Sequence, residues 1–357
     1  MTRMMGSVYM HWAKTREPVS YNLASSEVPG FRLDRFPIGI ADLELDGASR
    51  YRYPPLRAAI ATKCGVAPEQ VVMADGASMA NMLAMAALIS PGDEVLVEYP
   101  VYEPLLAAAQ HLGARITRFT RESPHFRIEP EAVERALTPA TRLIVLTNLH
   151  NPTSARTDND TLRAVGEMAR HVGARVLIDE IFLDAAMPEL ETAALLGETF
   201  VTLGSLTKVY GLSGLRCGWI LADPELAERI WLLNELFAVS QPHATERLSC
   251  LALERLDEVS AETPALLARN QALANEFFAS RPELEVVPMT GGITAFPRLK
   301  HGDVDRLDDM LRGELDTSIV PGRFFGLADH FRVGVGGPTD IVIEGLSRLG
   351  TALDRLT

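Results

Sequence analysis

Lysine is scarce in this chain. Among 357 residues there are four lysines, Lys14, Lys63, Lys208 and Lys300, so arginine supplies most of the basic charge. Acidic residues outnumber basic ones by 47 to 34, and the formal net charge is -13. This balance argues against nucleic acid or a membrane as the main partner, because nucleic acids and anionic lipids attract basic proteins. A local basic site for a small anion remains compatible with the composition.

Paired cysteines and long apolar runs are also missing. The three cysteines, Cys64, Cys217 and Cys250, are widely spaced, which predicts reduced thiols and a cytoplasmic protein. The sequence contains no H-E-x-x-H and no paired metal-ligand spacing, so we expect no metal site. The opening MTRMMGSVYMHWAK lacks the apolar core of a secretory signal. The apolar stretch SMANMLAMAALIS is too short to cross a bilayer.

The sequence does contain short apolar runs that alternate with longer helical patterns. Five of these runs are typical of strands: QVVMA (70–74), DEVLVEYP (93–100), RLIVLTN (142–148), ARVLIDE (174–180) and TFVTLGS (199–205). Strands that alternate with helices of about 10–15 residues indicate a mostly parallel sheet covered on both faces. The sequence therefore predicts a three-layer α/β fold with a mostly parallel central sheet.

The pattern changes after about residue 225 (a boundary read from helical periodicity). Two amphipathic helices follow, PELAERIWLLNELFAVS (224–240) and PALLARNQALANEFFAS (264–280), then strand-like pieces and the closing helix DIVIEGLSRLGTALDRL (340–356). We predict a large domain over residues 36–235. Residues 1–35 and 236–357 are expected to form a smaller α+β domain from both ends of the chain.

Polar residues follow each predicted strand. Ligands in parallel sheets gather beyond the carboxyl ends of the strands, so these residues are expected to meet in one pocket. In strand order they are Gly76, Ala77 and Ser78, then Tyr102, then Asn148 and Asn151, then Asp179, and finally Ser205 to Lys208.

Part of this set suits a phosphate group. The backbone amides of Ala77 and Ser78 open a predicted helix, where unpaired N–H groups and the helix dipole favour an anion. Ser205 and Arg216 flank the lysine segment and could neutralise the same dianion.

The remaining side chains suit an aromatic aldehyde. Tyr102 can stack on a ring face, Asp179 can hold a ring nitrogen protonated, and Asn151 can donate to a phenolic oxygen. Lys208, partly removed from water, would have a lowered pKa and react with the aldehyde through its amine.

Six segments that carry these residues resemble one enzyme family. SLTKVYGLSGLRCGW (205–219) resembles the lysine motif of the class I/II aminotransferases, which are pyridoxal-phosphate enzymes of fold type I. NLHNPTS resembles their asparagine–proline motif, DEIF their aspartate motif, PVY their ring-stacking segment and DGAS their phosphate turn. FRVGVGG resembles the segment with the carboxylate-binding arginine. The segments follow the family's order over nearly the whole chain.

The resemblance implies pyridoxal 5′-phosphate as cofactor and two catalytic residues. Lys208 would hold the cofactor covalently and move a proton during the reaction, while Asp179 would make the ring an electron sink. Arg332 would bind the substrate α-carboxylate, and Gly39 and Asn151 would also contact substrate. The cofactor-binding set is Gly76, Ala77, Ser78, Tyr102, Asn148, Asn151, Asp179, Ser205, Lys208, Arg216 and Tyr51 or Tyr53.

The choice between the two tyrosines arises from the segment SRYRYPPLR. In this family a tyrosine of the partner subunit usually reaches the phosphate, which implies a homodimer with shared active sites, and the segment offers both Tyr51 and Tyr53.

Phe182 stands where the family commonly has a tyrosine that donates to the phenolic oxygen. The missing donor leaves the reaction type open. His150 and Cys217 lie inside the motifs but are interpreted as packing residues.

The implied function is amino transfer between an amino acid and a 2-oxo acid by a two-stage, ping-pong mechanism. Another pyridoxal-phosphate reaction, such as C–S β-elimination or decarboxylation, would use the same lysine and aspartate. Arg332 favours chemistry that retains the α-carboxylate. A third hypothesis is a non-catalytic module that binds the cofactor on the same fold.

Overall fold

The computed structural model describes residues 4–46, 51–186 and 189–356. Its α-helices are α1 Val8–Thr15, α2 Pro54–Cys64, α3 Gly76–Leu88, α4 Glu103–His111, α5 Pro130–Ala136, α6 Asn159–His171, α7 Pro224–Asn234, α8 His243–Glu254, α9 Leu256–Ser260, α10 Thr263–Ala279, α11 Val304–Leu315 and α12 Thr339–Leu356. Its strands are β1 Tyr21–Asn22, β2 Val71–Asp75, β3 Glu94–Tyr99, β4 Arg115–Thr120, β5 Thr141–Thr147, β6 Arg175–Asp179, β7 Phe200–Ser205, β8 Cys217–Leu221, β9 Leu284–Glu285, β10 Thr294–Ala295, β11 Arg298–Leu299, β12 Thr317–Ser318, β13 Val320–Pro321 and β14 Phe331–Gly334.

Seven strands form the central sheet in the order β2-β8-β7-β6-β5-β3-β4. Neighbouring strands are parallel except where β8 runs antiparallel to β2 and β7. The five predicted strands are all present, and the mostly parallel α/β fold is confirmed. The prediction missed β4, whose sequence RITRFT is largely polar and lies at the sheet edge, and β8, which lies within the lysine motif.

Both faces of the sheet are covered, as the apolar strand sequences require. On β3, Val95 and Val97 belong to one hydrophobic cluster and Leu96 to another, because successive side chains point to opposite faces. Helix α3 packs in the first cluster through residues such as Leu83, and α6 packs in the second through residues such as Val165. This sandwich fixes the strand ends that carry the predicted site.

A second part of the fold joins the two ends of the chain. Strand β1 pairs in parallel with β12, while β10, β14 and β13 form a small sheet of their own. Leu23 packs with residues of α10, α11 and α12 in a separate hydrophobic cluster. Cys250 and Val259, which the prediction assigns to the smaller domain, pack in the hydrophobic cluster of the large one. The limits 36–235 for one domain and 1–35 with 236–357 for the other stay predictions, and residues 1–3, 47–50, 187, 188 and 357 lie outside the described residues.

The described ranges contain neither a membrane-spanning helix nor a metal-binding cluster. In those ranges no helix combines the length and apolar character needed to cross a bilayer. The same part of the chain holds no group of three or more histidine, cysteine, aspartate or glutamate residues placed to bind a metal ion.

Candidate active site

A cavity of 790 Å³ lies at the carboxyl edge of the sheet. Residues that follow β2, β3, β6 and β7 line it, which is the usual place for a ligand in a parallel sheet. Six of the residues predicted from the sequence form its walls: Ala77, Ser78, Tyr102, Asp179, Lys208 and Arg216.

The first turn of α3 and Arg216 form one end of this cavity. Gly76 begins the helix with a φ of 76°, a left-handed value that glycine adopts without strain. A Cβ at this position would lie 2.2 Å from Nη2 of Arg216, so the glycine leaves room for the guanidinium beside the helix N-terminus. Nη2 also donates to the carbonyl oxygen of Asp75 at 3.2 Å. A helix N-terminus next to a guanidinium is well suited to a phosphate.

Ser205 lies behind the cavity wall at the end of β7. Its Oγ is 2.5 Å from Oγ1 of Thr207, and it accepts a 3.3 Å hydrogen bond from the Thr207 backbone. Thr207, which the sequence reasoning did not single out, lines the cavity, whereas Ser205 does not. Contact between Ser205 and a phosphate stays a prediction.

Asp179 is buried at the end of β6, with 4% of its surface exposed. Burial raises the pKa of its carboxyl to about 6, because the charged form is costly away from water. Nδ2 of Asn81 donates to Oδ2 of Asp179 at 2.8 Å and opposes that rise. Asn81 was missed in the sequence, although an asparagine inside the apolar segment SMANMLAMAAL indicates a buried amide that needs a partner.

Lys208 lies in the loop after β7, where its carbonyl oxygen accepts a 3.0 Å hydrogen bond from the Val28 backbone. Its side chain is 30% exposed. Burial lowers the pKa of the ammonium, and Arg332 adds to this effect; Glu27, with Oε2 at 3.5 Å from Nζ, acts in the opposite direction. A lowered pKa increases the fraction of neutral, nucleophilic amine at neutral pH.

Tyr102 precedes α4 and lines the same cavity. Its ring meets Tyr9 edge to face, with 5.7 Å between the ring centroids, and its hydroxyl donates to Sδ of Met10 at 3.6 Å. Burial raises the pKa of the hydroxyl, so the phenol stays neutral. Stacking of this ring on an aromatic cofactor stays a prediction.

Arg332 and Asn151 form a buried pair near the cavity. Nη1 of Arg332 donates to Oδ1 of Asn151 at 2.9 Å. Nη2 donates to the Tyr9 hydroxyl and to the carbonyl oxygen of Ala24, both at 3.0 Å. Nε has no hydrogen-bond partner among the described residues. A buried guanidinium held in this way suits a carboxylate; Tyr9 and Ala24 were not predicted.

Asn148 is buried in the loop that carries Asn151, outside the cavity lining. Its side-chain amide donates to the carbonyl oxygen of Thr157 and accepts from the Thr157 backbone, both at 3.1 Å. These two bonds close the loop between the two residues. Contact between Asn148 and a cofactor stays a prediction.

A buried ion pair supports the same loop. Nη1 of Arg121 lies 2.7 Å from Oε2 of Glu98, and neither side chain is exposed. Oε1 of Glu98 accepts from the backbone and hydroxyl of Thr147 at 2.7 and 2.6 Å, and the Thr147 hydroxyl accepts from the Asn151 backbone at 3.0 Å. The sequence indicates this ion pair only through Glu98, a glutamate inside the apolar strand VLVEY that needs a partner when buried. His150, interpreted as packing, is fully buried nearby.

Three predicted residues lie away from this cavity within the subunit. Tyr53 is buried, and its hydroxyl accepts from Nη1 of Arg247 at 3.1 Å. Tyr51 is 49% exposed, and its hydroxyl donates to Glu235. Gly39 is exposed, and its backbone amide donates to Asp42 at 2.7 Å. Their predicted contacts with phosphate or substrate stay predictions.

Comparison with known proteins identifies the chain's relatives. The family model described as aminotransferase class I and II matches residues 41–349. The chain belongs to this family. Capreomycidine synthase of Streptomyces vinaceus is 32% identical over 304 residues, covering 84% of this chain and 78% of that protein. The arginine–pyruvate transaminase AruH of Pseudomonas aeruginosa is 29% identical over 277 residues, covering 75% and 70%. The solved structure of the PLP-dependent cyclase OrfR matches with a TM-score of 0.90 and 26% identity, covering 100% of this chain and 99% of that chain.

This aminotransferase is an enzyme that uses pyridoxal 5′-phosphate, as predicted from the sequence. The cavity fits that cofactor in three places. The space beside Gly76 and Arg216 suits its phosphate, the buried carboxylate of Asp179 suits its ring nitrogen, and the amine of Lys208 suits its aldehyde. These three groups come from three different strand ends of one sheet.

Proposed function

We propose that this aminotransferase moves an amino group from an amino acid to a 2-oxo acid in two half-reactions at one site. The observation that carries this proposal is the position of Lys208. It shares a cavity with Asp179 and lies close enough to Arg332 for that guanidinium to lower its pKa. A reactive amine thus stands between the predicted cofactor anchor and the predicted carboxylate anchor.

The cofactor end of the site works through charge and stacking. Pyridoxal 5′-phosphate, when bound, supplies an aldehyde and a ring that withdraws electrons from the substrate. Ala77, Ser78 and Arg216 bind the phosphate, Asp179 keeps the ring nitrogen protonated, and Tyr102 covers one ring face. Burial of Asp179 strengthens its interaction with a cationic ring nitrogen, because the local dielectric is low.

The substrate end works through orientation and proton transfer. Arg332 binds the α-carboxylate, with Asn151 holding the guanidinium in place through the 2.9 Å hydrogen bond. Lys208, as the neutral amine, would take a proton from the substrate Cα and deliver it to the carbon that carried the cofactor's aldehyde group. Retention of the α-carboxylate on Arg332 favours amino transfer over decarboxylation.

A second candidate is another pyridoxal-phosphate reaction, such as C–S β-elimination or decarboxylation. Two observations favour it: relatives named as a synthase and as a cyclase, and Phe182 at the position where the family commonly has a tyrosine. Phe182 is buried in the larger hydrophobic cluster, next to the cavity-lining Ile181. The same Lys208 and Asp179 would serve these reactions.

We also propose that the enzyme is a homodimer with shared active sites. An apolar surface follows α7 and includes Leu236, Phe237 and Val239, which are 80%, 57% and 68% exposed. Tyr51 lies beside it, since its hydroxyl bonds to Glu235. A second copy of the chain would cover this surface and bring a tyrosine of the 51–53 segment to the neighbouring phosphate end. Sedimentation equilibrium tests the assembly, and a monomer at micromolar concentration would contradict it.

The proposed location is the cytoplasm. The three cysteines are all free thiols, two of them buried, which agrees with a reducing compartment. Cell fractionation with an antibody against the protein tests this location.

The test of the reaction is a spectral titration of the purified, cofactor-loaded enzyme with a panel of amino acids. We expect one or more donors to abolish the visible band of the cofactor and a 2-oxo acid to restore it, with Lys208→Ala inactive in both directions. Release of ammonia or carbon dioxide from the same donors would favour the second candidate. An unchanged spectrum with every donor would favour a non-catalytic module.

A further inference from the structure

Glu27 is fixed in the cavity wall by the backbone on both sides of it. The Leu23 carbonyl oxygen accepts a 2.7 Å hydrogen bond from the Gly334 backbone, and the Val28 backbone donates to the Lys208 carbonyl oxygen at 3.0 Å. Glu27 lies between these two contacts, lines the cavity and has 40% of its side chain exposed. The backbone that carries Glu27 is therefore held at the site by local structure.

The proposed reaction gives a task to every charged residue of the described cavity wall except Glu27 and Lys14. Arg216 faces the phosphate end, Asp179 the ring nitrogen and Lys208 the aldehyde. The ring of His111 lies 2.6 Å from the Met4 carbonyl oxygen. Among the described cavity-lining residues two further charges remain: Glu27, and Lys14, which lies exposed on α1.

The amine next to Glu27 is engaged when the enzyme is loaded. Oε2 of Glu27 lies 3.5 Å from Nζ of Lys208, the amine that the proposed function commits to the cofactor. A partly buried carboxylate whose amine neighbour is engaged elsewhere gains from a further cation. The loaded site thus presents a carboxylate that a substrate could pair with.

The same segment also touches the carboxylate anchor. The Ala24 carbonyl oxygen accepts a hydrogen bond from Nη2 of Arg332 at 3.0 Å. Three residues of extended chain span at most about 10 Å, so Glu27 lies within about that distance of Ala24. A substrate with its α-carboxylate on Arg332 and a long side chain could therefore span the distance to Glu27.

We propose that Glu27 selects amino-acid substrates whose long side chain ends in a cation, of the guanidinium or ammonium kind. The proposal rests on the proposed function, and it makes Glu27 a specificity-determining residue that binds the far end of the substrate. Glu27 gives the cavity a negative charge, whereas a site for dicarboxylic amino acids would need a positive one.

The test is calorimetric binding to the cofactor-loaded enzyme after borohydride reduction, which blocks the reaction and leaves non-covalent binding to be measured. L-arginine and L-citrulline have nearly the same shape and differ in charge; L-lysine and L-norleucine form a second such pair. We expect the wild-type enzyme to bind each cationic member about tenfold more tightly than its neutral partner, the size of one charge-assisted hydrogen bond. Glu27→Gln should reduce both ratios to about one, whereas the control Lys14→Gln should leave them unchanged or increase them.

Equal affinities of wild-type enzyme for the two members of each pair would overturn the proposal, and so would ratios that Glu27→Gln leaves unchanged. Loss of turnover with all donors alike in Glu27→Gln, at unchanged binding ratios, would instead make Glu27 a partner of Lys208. The calorimetric readout does not depend on amino transfer. Failure of the proposed function would appear in the spectral titration, with the binding ratios still interpretable.

Discussion

The buried carboxylate of Asp179 should destabilise the protein until the cofactor arrives. Burial raises the pKa of this group from 3.8 to about 6, which means that ionising it in the folded chain is harder than in the unfolded chain. Asp179→Asn removes the charge, keeps the shape, and leaves Asn81 an oxygen to donate to. The cofactor-free variant should therefore be more stable than the cofactor-free wild-type protein at neutral pH.

The size of the effect follows from the two pKa values of Asp179. A rise from 3.8 to about 6 corresponds to about 3 kcal/mol of unfolding free energy, at about 1.4 kcal/mol per pH unit. A raised acid pKa gives stability that is full below pH 3.8 and lost as the pH rises through about 6. The gain from Asp179→Asn should then be about 3 kcal/mol at about pH 7.5 and about 1 kcal/mol at about pH 4.5.

The assay is urea or thermal unfolding of both cofactor-free proteins at the two pH values. With an unfolding entropy of about 2.1 cal/mol/K per residue, 3 kcal/mol corresponds to a rise in Tm of about 4 °C for a chain of this length. Asp160→Asn, at a side chain that is 96% exposed, is the control and should change stability by less than about 0.5 kcal/mol. A gain at Asp179→Asn that is absent, or equal at both pH values, would refute the assignment of its cost to burial.

Three further substitutions test other parts of the site. Gly76→Ala places a Cβ against Arg216 and strains a positive φ, so cofactor affinity measured by fluorescence titration should fall at least about tenfold; unchanged affinity would place the phosphate elsewhere. Asn81→Leu removes a donor to Asp179, so the acid limb of the pH–rate profile should move to higher pH; an unmoved limb would make Asn81 a packing residue only. Phe182→Tyr should lower the pH midpoint of the cofactor's visible absorbance, because the new tyrosine hydroxyl would donate a hydrogen bond to the phenolic oxygen of the cofactor. A raised midpoint would contradict this.

The parts of the site that could be predicted from the sequence are those that local rules determine. A polar residue at or just beyond the end of a buried strand must lie near the sheet edge, so the sequence alone predicts Ser78, Asp179 and Lys208 in one pocket. The order of these residues along the chain is enough to predict the pocket, because parallel strands have their carboxyl ends at the same edge of the sheet. The same reasoning gave the α/β fold.

The contacts that the sequence did not indicate are between segments far apart in the chain. Tyr9 reaches Arg332 across more than three hundred residues, and no periodicity reports such a pairing. Asn81 is recognisable as a buried amide that needs a partner, but nothing in its segment indicates Asp179. The segment around Glu27 likewise gives no sign of the contact with Lys208. Tyr51 and Tyr53 are only two residues apart, and their different burial depends on contacts with Glu235 and Arg247.

The hydrogen bonds of Arg332 have a consequence for turnover. Its guanidinium already donates to the Tyr9 hydroxyl, the Ala24 carbonyl oxygen and Asn151 before any substrate is present. A carboxylate that bound through Nη2 would replace one of these partners, and only the difference between the two hydrogen bonds would contribute to its affinity there; the N–H of Nε has no partner among the described residues. Product departure is eased by the same amount, since the protein's own oxygens return to the arginine. Such an exchange favours an enzyme that must release a 2-oxo acid from the site where it bound an amino acid.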